Sequence, residues 1–227
     1  NEEELKNLIL QVKEKKISGI NVTVPFKKKV IPYLDELSLE ASKTQSVNTI
    51  YLNNNKTVGH NTDIDGFELS IKDIKFDVNN KTIFILGAGG VVSSLIFSLY
   101  RMGASKIIVS NRTREKAENL KKIFNDLVII DWGETTNFNM IINATSIGLN
   151  KNDKINLNFQ DFGTNKFFYD VIYNPEETNF LCEGKKLKNK TENGKKMFIY
   201  QASEAFKIWH GFNPRIDDQV NKLLEND

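Results

Sequence analysis

The sequence predicts an α/β fold in two parts: a doubly wound parallel sheet over its middle, and a smaller α/β unit ahead of it that the closing helices complete. Three observations carry this expectation. Thr82–Leu86 is an unbroken apolar run leading into Gly87-Ala88-Gly89-Gly90, the pattern of a strand buried on both faces of a parallel sheet. Further β-rich runs lie at 106–110, 127–130, 140–144 and 167–172, with helical segments between the first of them, the alternation that builds βα units. Ahead of these, 47–51 and 57–61 flank Asn53-Asn54-Asn55, which reads as a hairpin.

Taken in order, 2–16 repeats Leu5, Leu8, Ile9 and Val12 at helical spacing, with acids first and lysines last, as the helix dipole favours. Gly19 ends that helix. In 21–24, polar Asn21 and Thr23 alternate with Val22 and Val24, so the two polar residues share one face of a strand. Pro25 stops the strand and starts a helical segment that Pro32 interrupts; Leu34, Leu37 and Ala41 carry an apolar face onward. After the hairpin, Thr62 or Asp63 caps a helix through Phe67, Leu69 and Ile71. Helices are expected through Leu95, Ile96, Leu99 and Met102, and over 113–124. The lysine- and asparagine-rich stretch 184–196 reads as a solvated loop. Phe198, Ala202, Ala205, Phe206 and Trp209 mark an amphipathic helix, and Ile216, Val220 and Leu223 a last one. The composition shift near 63–80 marks the domain boundary.

Composition narrows the function classes. Of 227 residues, 40% are hydrophobic and 26% charged, with net charge +2, which fits a globular protein and gives no overall electrostatic case for nucleic acid. No apolar run approaches a membrane span. One cysteine, Cys182, excludes an intrachain disulfide framework and fits a reducing compartment. His60 and His210 offer no metal-ligand spacing, so no metal is expected. The chain opens on Asn1 and almost at once enters a helix, and a segment ahead of it is expected.

Two constellations carry chemistry. Gly87 and Gly89 permit a tight turn that brings backbone amides to a pyrophosphate at the following helix N-terminus, although Val92 stands where the third glycine of the dinucleotide fingerprint belongs. At the end of the second strand an acid would hold a ribose 2′-hydroxyl; here Ser110-Asn111-Arg112-Thr113-Arg114 and Lys116 supply basic and neutral donors instead, which suit a 2′-phosphate and favour NADP over NAD. A surface helix start is the bland reading of the same residues. The second constellation places Asn21, Thr23 and Lys27 beside Asn48 and Asp63, which lie at the ends of the hairpin. A lysine beside a carboxylate can give or take a proton; a structural ion pair with a helix cap is the bland alternative.

Asn21-Val22-Thr23-Val24-Pro25-Phe26-Lys27, Val47-Asn48-Thr49, Asn61-Thr62-Asp63, Gly87-Ala88-Gly89-Gly90, Asn111-Arg112-Thr113, Asn143-Ala144-Thr145-Ser146 and Gln201-Ala202 occur in this order. Together they resemble the shikimate dehydrogenase family over nearly the whole chain. The resemblance implies a cytoplasmic, NADP-dependent enzyme that reduces 3-dehydroshikimate to shikimate in chorismate and aromatic amino acid biosynthesis. It implies a substrate domain over 1–63, joined by helices of 195–227, and a Rossmann NADP domain over 64–194. Motif matching places Lys27 and Asp63 as the catalytic pair. It makes Asn21, Thr23, Asn48, Asp63, Tyr173 and Gln201 the substrate contacts. The cofactor contacts become Gly87, Ala88, Gly89, Gly90, Val91, Asn111, Arg112, Thr113, Lys116, Val171 and Gly194.

The chain departs from the family pattern twice. Nothing before Gly19 matches the family's serine-x-serine motif for the substrate carboxylate, as if the chain began inside the helix that follows it. Asn193-Gly194 leads into Lys195-Lys196, where the family has small or apolar residues. Alternatives are a dehydrogenase accepting quinate as well as shikimate, a folate-linked dehydrogenase of similar plan, and a nucleotide-binding relative without catalysis. The partner expected is a small molecule; oligomeric state stays open.

Overall fold

The structure, a computed structural model, describes residues 2–150 and 152–223. Its first unit begins with α1 (Glu2–Lys13), which carries three glutamates in its first turn and buries Leu5, Ile9 and Val12. There follow β1 (Gly19–Asn21), a 3₁₀ turn at Ile31–Tyr33, β2 (Glu36–Leu37), α2 (Leu39–Thr44), β3 (Thr49–Asn53) and β4 (Lys56–His60). The four strands form one sheet in the order β1-β3-β4-β2. Asn54 and Asn55 take φ of 49° and 61° between β3 and β4, the left-handed pair that a two-residue hairpin turn needs and asparagine tolerates. The core under this sheet is Leu5, Ile9, Val22, Val30, Ala41, Val47 and Ile50.

Two expectations for this unit are corrected. The strand ends at Asn21 rather than Val24: Val22 N still donates to Asn48 O at 2.7 Å, but Phe26 N donates back to Thr23 O at 2.8 Å and closes a turn. The segment after Lys27 is a run of turns ending in the 3₁₀ turn, and Pro32 lies within that turn's start, where a missing N–H breaks nothing.

The second unit follows through α3 (Thr62–Asp73), β5 (Thr82–Leu86), α4 (Val92–Arg101), β6 (Lys106–Ser110), α5 (Arg114–Lys121), β7 (Val128–Ile130) and β8 (Met140–Asn143). It continues with β9 (Phe167–Asp170), α6 (Asn179–Lys186) and β10 (Lys190–Glu192), after which α7 (Lys195–His210) and α8 (Asp218–Leu223) close the described chain. Its six strands are ordered β10-β9-β8-β5-β6-β7, and every neighbouring pair is parallel. That is a doubly wound sheet whose strand order reverses between β5 and β8, where ligands of such sheets bind. The period-two rule sorts its side chains. Ile83, Ile85, Ile107, Val109, Met140, Ile142, Phe167 and Tyr169 face α3, α4 and α5. Phe84, Leu86, Ile108, Ile141 and Phe168 face a phenylalanine-rich layer with Phe138, Phe159, Phe162 and Phe180.

The stretch read as a solvated loop, 184–196, instead holds the end of α6, the edge strand β10 and the start of α7. Backbone pairing to β9 needs no apolar side chains, and Asn189 staples the turn before it: Oδ1 accepts from Lys166 N at 2.9 Å and Nδ2 donates to Gly163 O at 2.9 Å. The amphipathic face expected of α7 is also shifted. Met197, Ile199 and Ala205 are buried, whereas Ala202 is exposed and Phe198 is 36% exposed. α7 spans both units: Met197 enters the large core, and Trp209 Nε1 donates to Ile50 O on β3 at 3.1 Å. The last helix starts after Ile216, and 224–227, within the expected C-terminal unit, lie outside the described residues.

Candidate active site

The two chemical constellations meet across a cleft between the units. On the large-sheet side, Gly87 at φ 113° turns the chain out of β5; a Cβ there would lie 2.7 Å from Ala144 O, so only glycine fits. α4 then starts at Val92 with no side-chain cap; Val92 N and Ser94 N donate to Gly89 O and Val91 O at 3.1 and 3.0 Å, and the remaining amides of the turn and first helical residues are the ones an anion would meet. A Cβ on Gly90 would lie 3.3 Å from Val24 Cγ2, which measures how closely the glycine turn faces the first unit. A cavity of about 360 Å³ opens there, lined on one side by Val24, Lys27 and Lys28 and on the other by Ala88, Gly89, Gly90 and Lys116.

At the end of β6, Asn111 Nδ2 donates to Thr113 O at 2.7 Å and shapes the turn. Arg114 is bound to Asp131 and, at 3.2 Å, to Glu118. Its charge is therefore spent within the protein. Arg112 and Lys116 have no acidic partner among the described residues, so these two cations are the ones left for a phosphate.

In the first unit, Lys27 Nζ lies 2.5 Å from Asp63 Oδ2, with side chains only 14% and 8% exposed. Asp63's other oxygen accepts from Asn48 Nδ2 at 2.9 Å. Asn48 Oδ1 accepts from Thr62 N at 2.8 Å, and Asn21 Nδ2 donates to Asn48 O at 3.2 Å and to Thr49 Oγ1 at 3.3 Å. Lys27, Asp63, Asn48 and Asn21 thus form one network. Thr23 is exposed, and no side-chain hydrogen bond ties it to that network among the described residues.

The helix cap is Asn61, not Thr62 or Asp63: its Oδ1 accepts from Asp63 N at 3.2 Å. Fully buried, Asn61 also donates from Nδ2 to Thr44 Oγ1 at 3.1 Å and to Ser94 Oγ on α4 at 2.9 Å. Sequence reasoning takes this residue only as part of the turn into α3, not as a tie between α3, α2 and α4. Its sequence signal is faint: serines at 94 and 98 on one face of an otherwise apolar helix, with Ser98 Oγ donating to Ile64 O at 3.3 Å.

The loop after β9 and the helix α7 carry the remaining residues. A Cβ on Gly66, one turn along α3 from Asp63, would lie 2.7 Å from Gln201 Cβ, so Gln201 sits directly against the helix that carries Asp63. Tyr173 stacks on Phe198 with ring centroids 4.4 Å apart. Val171 and Gly194 touch: a Cβ on Gly194 would lie 2.1 Å from Val171 O, and Gly194 N donates to Ile172 O at 3.1 Å. Beneath them, fully buried Asp170 accepts from Asn143 Nδ2, from Ile172 N at 3.0 Å and from Thr178 Oγ1 at 2.6 Å. Burial pushes its carboxyl up to about 6 against those three donors.

Comparison with known proteins decides the family. Residues 1–50 match the family model described as shikimate dehydrogenase substrate binding domain, and residues 69–148 the one described as shikimate / quinate 5-dehydrogenase. A shikimate dehydrogenase (NADP(+)) of Pelagibacter ubique is 56% identical over 98% of this chain and 84% of its own. The chain belongs to the shikimate dehydrogenase family. Solved members agree in structure: the shikimate dehydrogenase of Aquifex aeolicus superposes with TM-score 0.86 at 36% identity, over 100% of this chain and 84% of that one. The Thermus thermophilus shikimate 5-dehydrogenase, solved with NADP(H) and shikimate, superposes with TM-score 0.87 at 28% identity, over 99% and 84%. In the family's terms, the large sheet is a Rossmann-like NADP domain and the small one belongs to the substrate domain.

Proposed function

We propose that Lys27 and Asp63 carry the proton in the family's reaction, the reversible NADPH-dependent reduction of 3-dehydroshikimate to shikimate, for which the chain is an NADP-dependent oxidoreductase. The observation that carries this reading is the 2.5 Å Lys27–Asp63 contact at the rim of the cavity that the glycine turn also lines. The uncapped start of α4, with Arg112 and Lys116 free of acids, fits a dinucleotide bearing a 2′-phosphate. NADPH, when bound, supplies the hydride that reaches the C3 carbonyl carbon. Lys27 protonates the oxygen as it becomes an alkoxide, Asp63 holds Lys27 and orients the resulting hydroxyl, and Asn48 holds Asp63. Asn21, Thr23, Asn48, Tyr173 and Gln201 fix the ring, positioning that accounts for much of such a rate gain. Gly87 to Val91, Asn111, Arg112, Thr113, Lys116, Val171 and Gly194 hold the cofactor, with Val171 and Gly194 also serving plain packing.

We divide the chain accordingly into a substrate domain over 1–63 with the helices of 195–227, and a cofactor domain over 64–194. No helix among the described residues is long and apolar enough to cross a membrane, and we place the reaction in the cytoplasm. Lys27→Ala should lower kcat by about 10²–10⁴-fold while leaving NADP⁺ affinity, read by titration, close to wild type. Wild-type turnover in that variant would refute the assignment. Running shikimate and quinate side by side, each with NADP⁺ and NAD⁺, tests the broader-specificity reading.

A further inference from the structure

Phe198 has no role in the reaction above, yet it touches two residues that do. It is 36% exposed on α7, an uneconomical place for a large apolar ring on a helix that buries Met197 and Ile199 on either side of it. Its ring lies on that of Tyr173 with centroids 4.4 Å apart and planes 23° apart, a stacked pair. Its backbone carbonyl accepts from Gln201 Nε2 at 2.9 Å. Tyr173 enters no hydrogen bond among the described residues, so its hydroxyl is committed to nothing within the protein while its ring is held. Gln201 is fixed from the other side as well, by the close approach of Gly66.

We propose that Phe198 is a positioning residue for substrate: its stack on Tyr173 and its carbonyl bond to Gln201 set both polar groups in one arrangement before the ring of shikimate arrives. A tyrosine on a loop has two side-chain torsions to fix, and fixing them in advance removes an ordering cost from binding. The stack does this without using the hydroxyl, which is the only part of Tyr173 that a polyhydroxylated ligand can bond. The inference rests on Tyr173 and Gln201 contacting substrate.

Steady-state kinetics on the full chain test it with Phe198→Ala, Phe198→Tyr, Tyr173→Phe and the Phe198→Ala/Tyr173→Phe double variant. Phe198→Ala should raise KM for shikimate about three- to tenfold, the worth of a stacked aromatic pair, with kcat and KM for NADP⁺ little changed. Phe198→Tyr keeps the stack and should restore wild-type KM. In the Tyr173→Phe background, Phe198→Ala should add much less than it does alone, because the hydroxyl it positions is gone. An unchanged shikimate KM in Phe198→Ala, a raised KM for NADP⁺, or effects that simply multiply in the double variant would overturn the inference while leaving Tyr173 a substrate contact. An unchanged shikimate KM in Tyr173→Phe would overturn the Tyr173 assignment, and this inference with it.

Discussion

Asp170 is fully buried at the end of β9 and has no cationic partner among the described residues. Burial raises its pKa from the ordinary 3.8 to about 6. Between those values the folded chain holds a proton there that the unfolded chain has released, so this group favours the folded state below pH 3.8 and loses that contribution as pH rises through 6. The swing is about 3 kcal/mol. The stability of wild type minus that of Asp170→Asn, from urea unfolding at pH 4 to 7, should therefore fall with rising pH by up to that amount; a flat difference would refute it. Side chains differ in how far the sequence discloses them. That Lys27, Asn48 and Asp63 come together was readable because turns and strand ends fix which way they face. Asn61 and Asp170 were not, because their partners Ser94, Thr44, Asn143 and Thr178 are set by tertiary packing that no local pattern encodes.

At the scale of elements, the pairing of α3 with α7 seats Gln201 against the helix that carries Asp63. Gly66 makes the close approach possible: a Cβ there would lie 2.7 Å from Gln201 Cβ and 2.8 Å from both Gln201 N and Met197 O. Two of those atoms are backbone and cannot rotate away. Gly66→Ala should push the helices apart, cost about 1–3 kcal/mol on unfolding, and raise KM for shikimate through the displacement of Gln201. Calorimetry and kinetics on the same preparation check both. Of the strands that sequence reading found, β5, β6, β8 and β9 announce themselves because both faces are buried and both must be apolar, while β7, a half-buried edge strand, shows through its β-branched Val128-Ile129-Ile130. β10 escaped because it is an edge strand, Lys190-Thr191-Glu192, held by backbone pairing with only half-buried side chains. The reach of β1 was overestimated for a different reason: alternation of polar and apolar residues continues through Val24, while the last backbone bond to the neighbouring chain is Val22 N to Asn48 O, and Phe26 N to Thr23 O then closes a turn.

Over the whole molecule, the two units were legible as a change of pattern, from hairpin to alternating βα, but the way they are joined was not. Arg101, at the end of α4, spans the joint: Nε lies 2.6 Å from Glu68 Oε1, with Asp65 at 3.5 Å and Glu40 on α2 at 3.7 Å. Glu68 is 9% exposed, so removing its partner strands a nearly buried carboxylate. Arg101→Ala should cost about 1–2 kcal/mol in urea unfolding and leave kcat near wild type, since none of these groups touches the Lys27–Asp63 pair. Asn61 lies at the same joint with a different consequence. One amide caps the helix that presents Asp63 and also grips α4 through Ser94, whereas across the cleft Val24 meets Gly90 with an apolar touch and is 63% exposed. The molecule is built like a jaw, bonded at its back and merely closed at its lips. The grip that fixes Asp63 relative to α4 therefore does not depend on the contact between Val24 and Gly90.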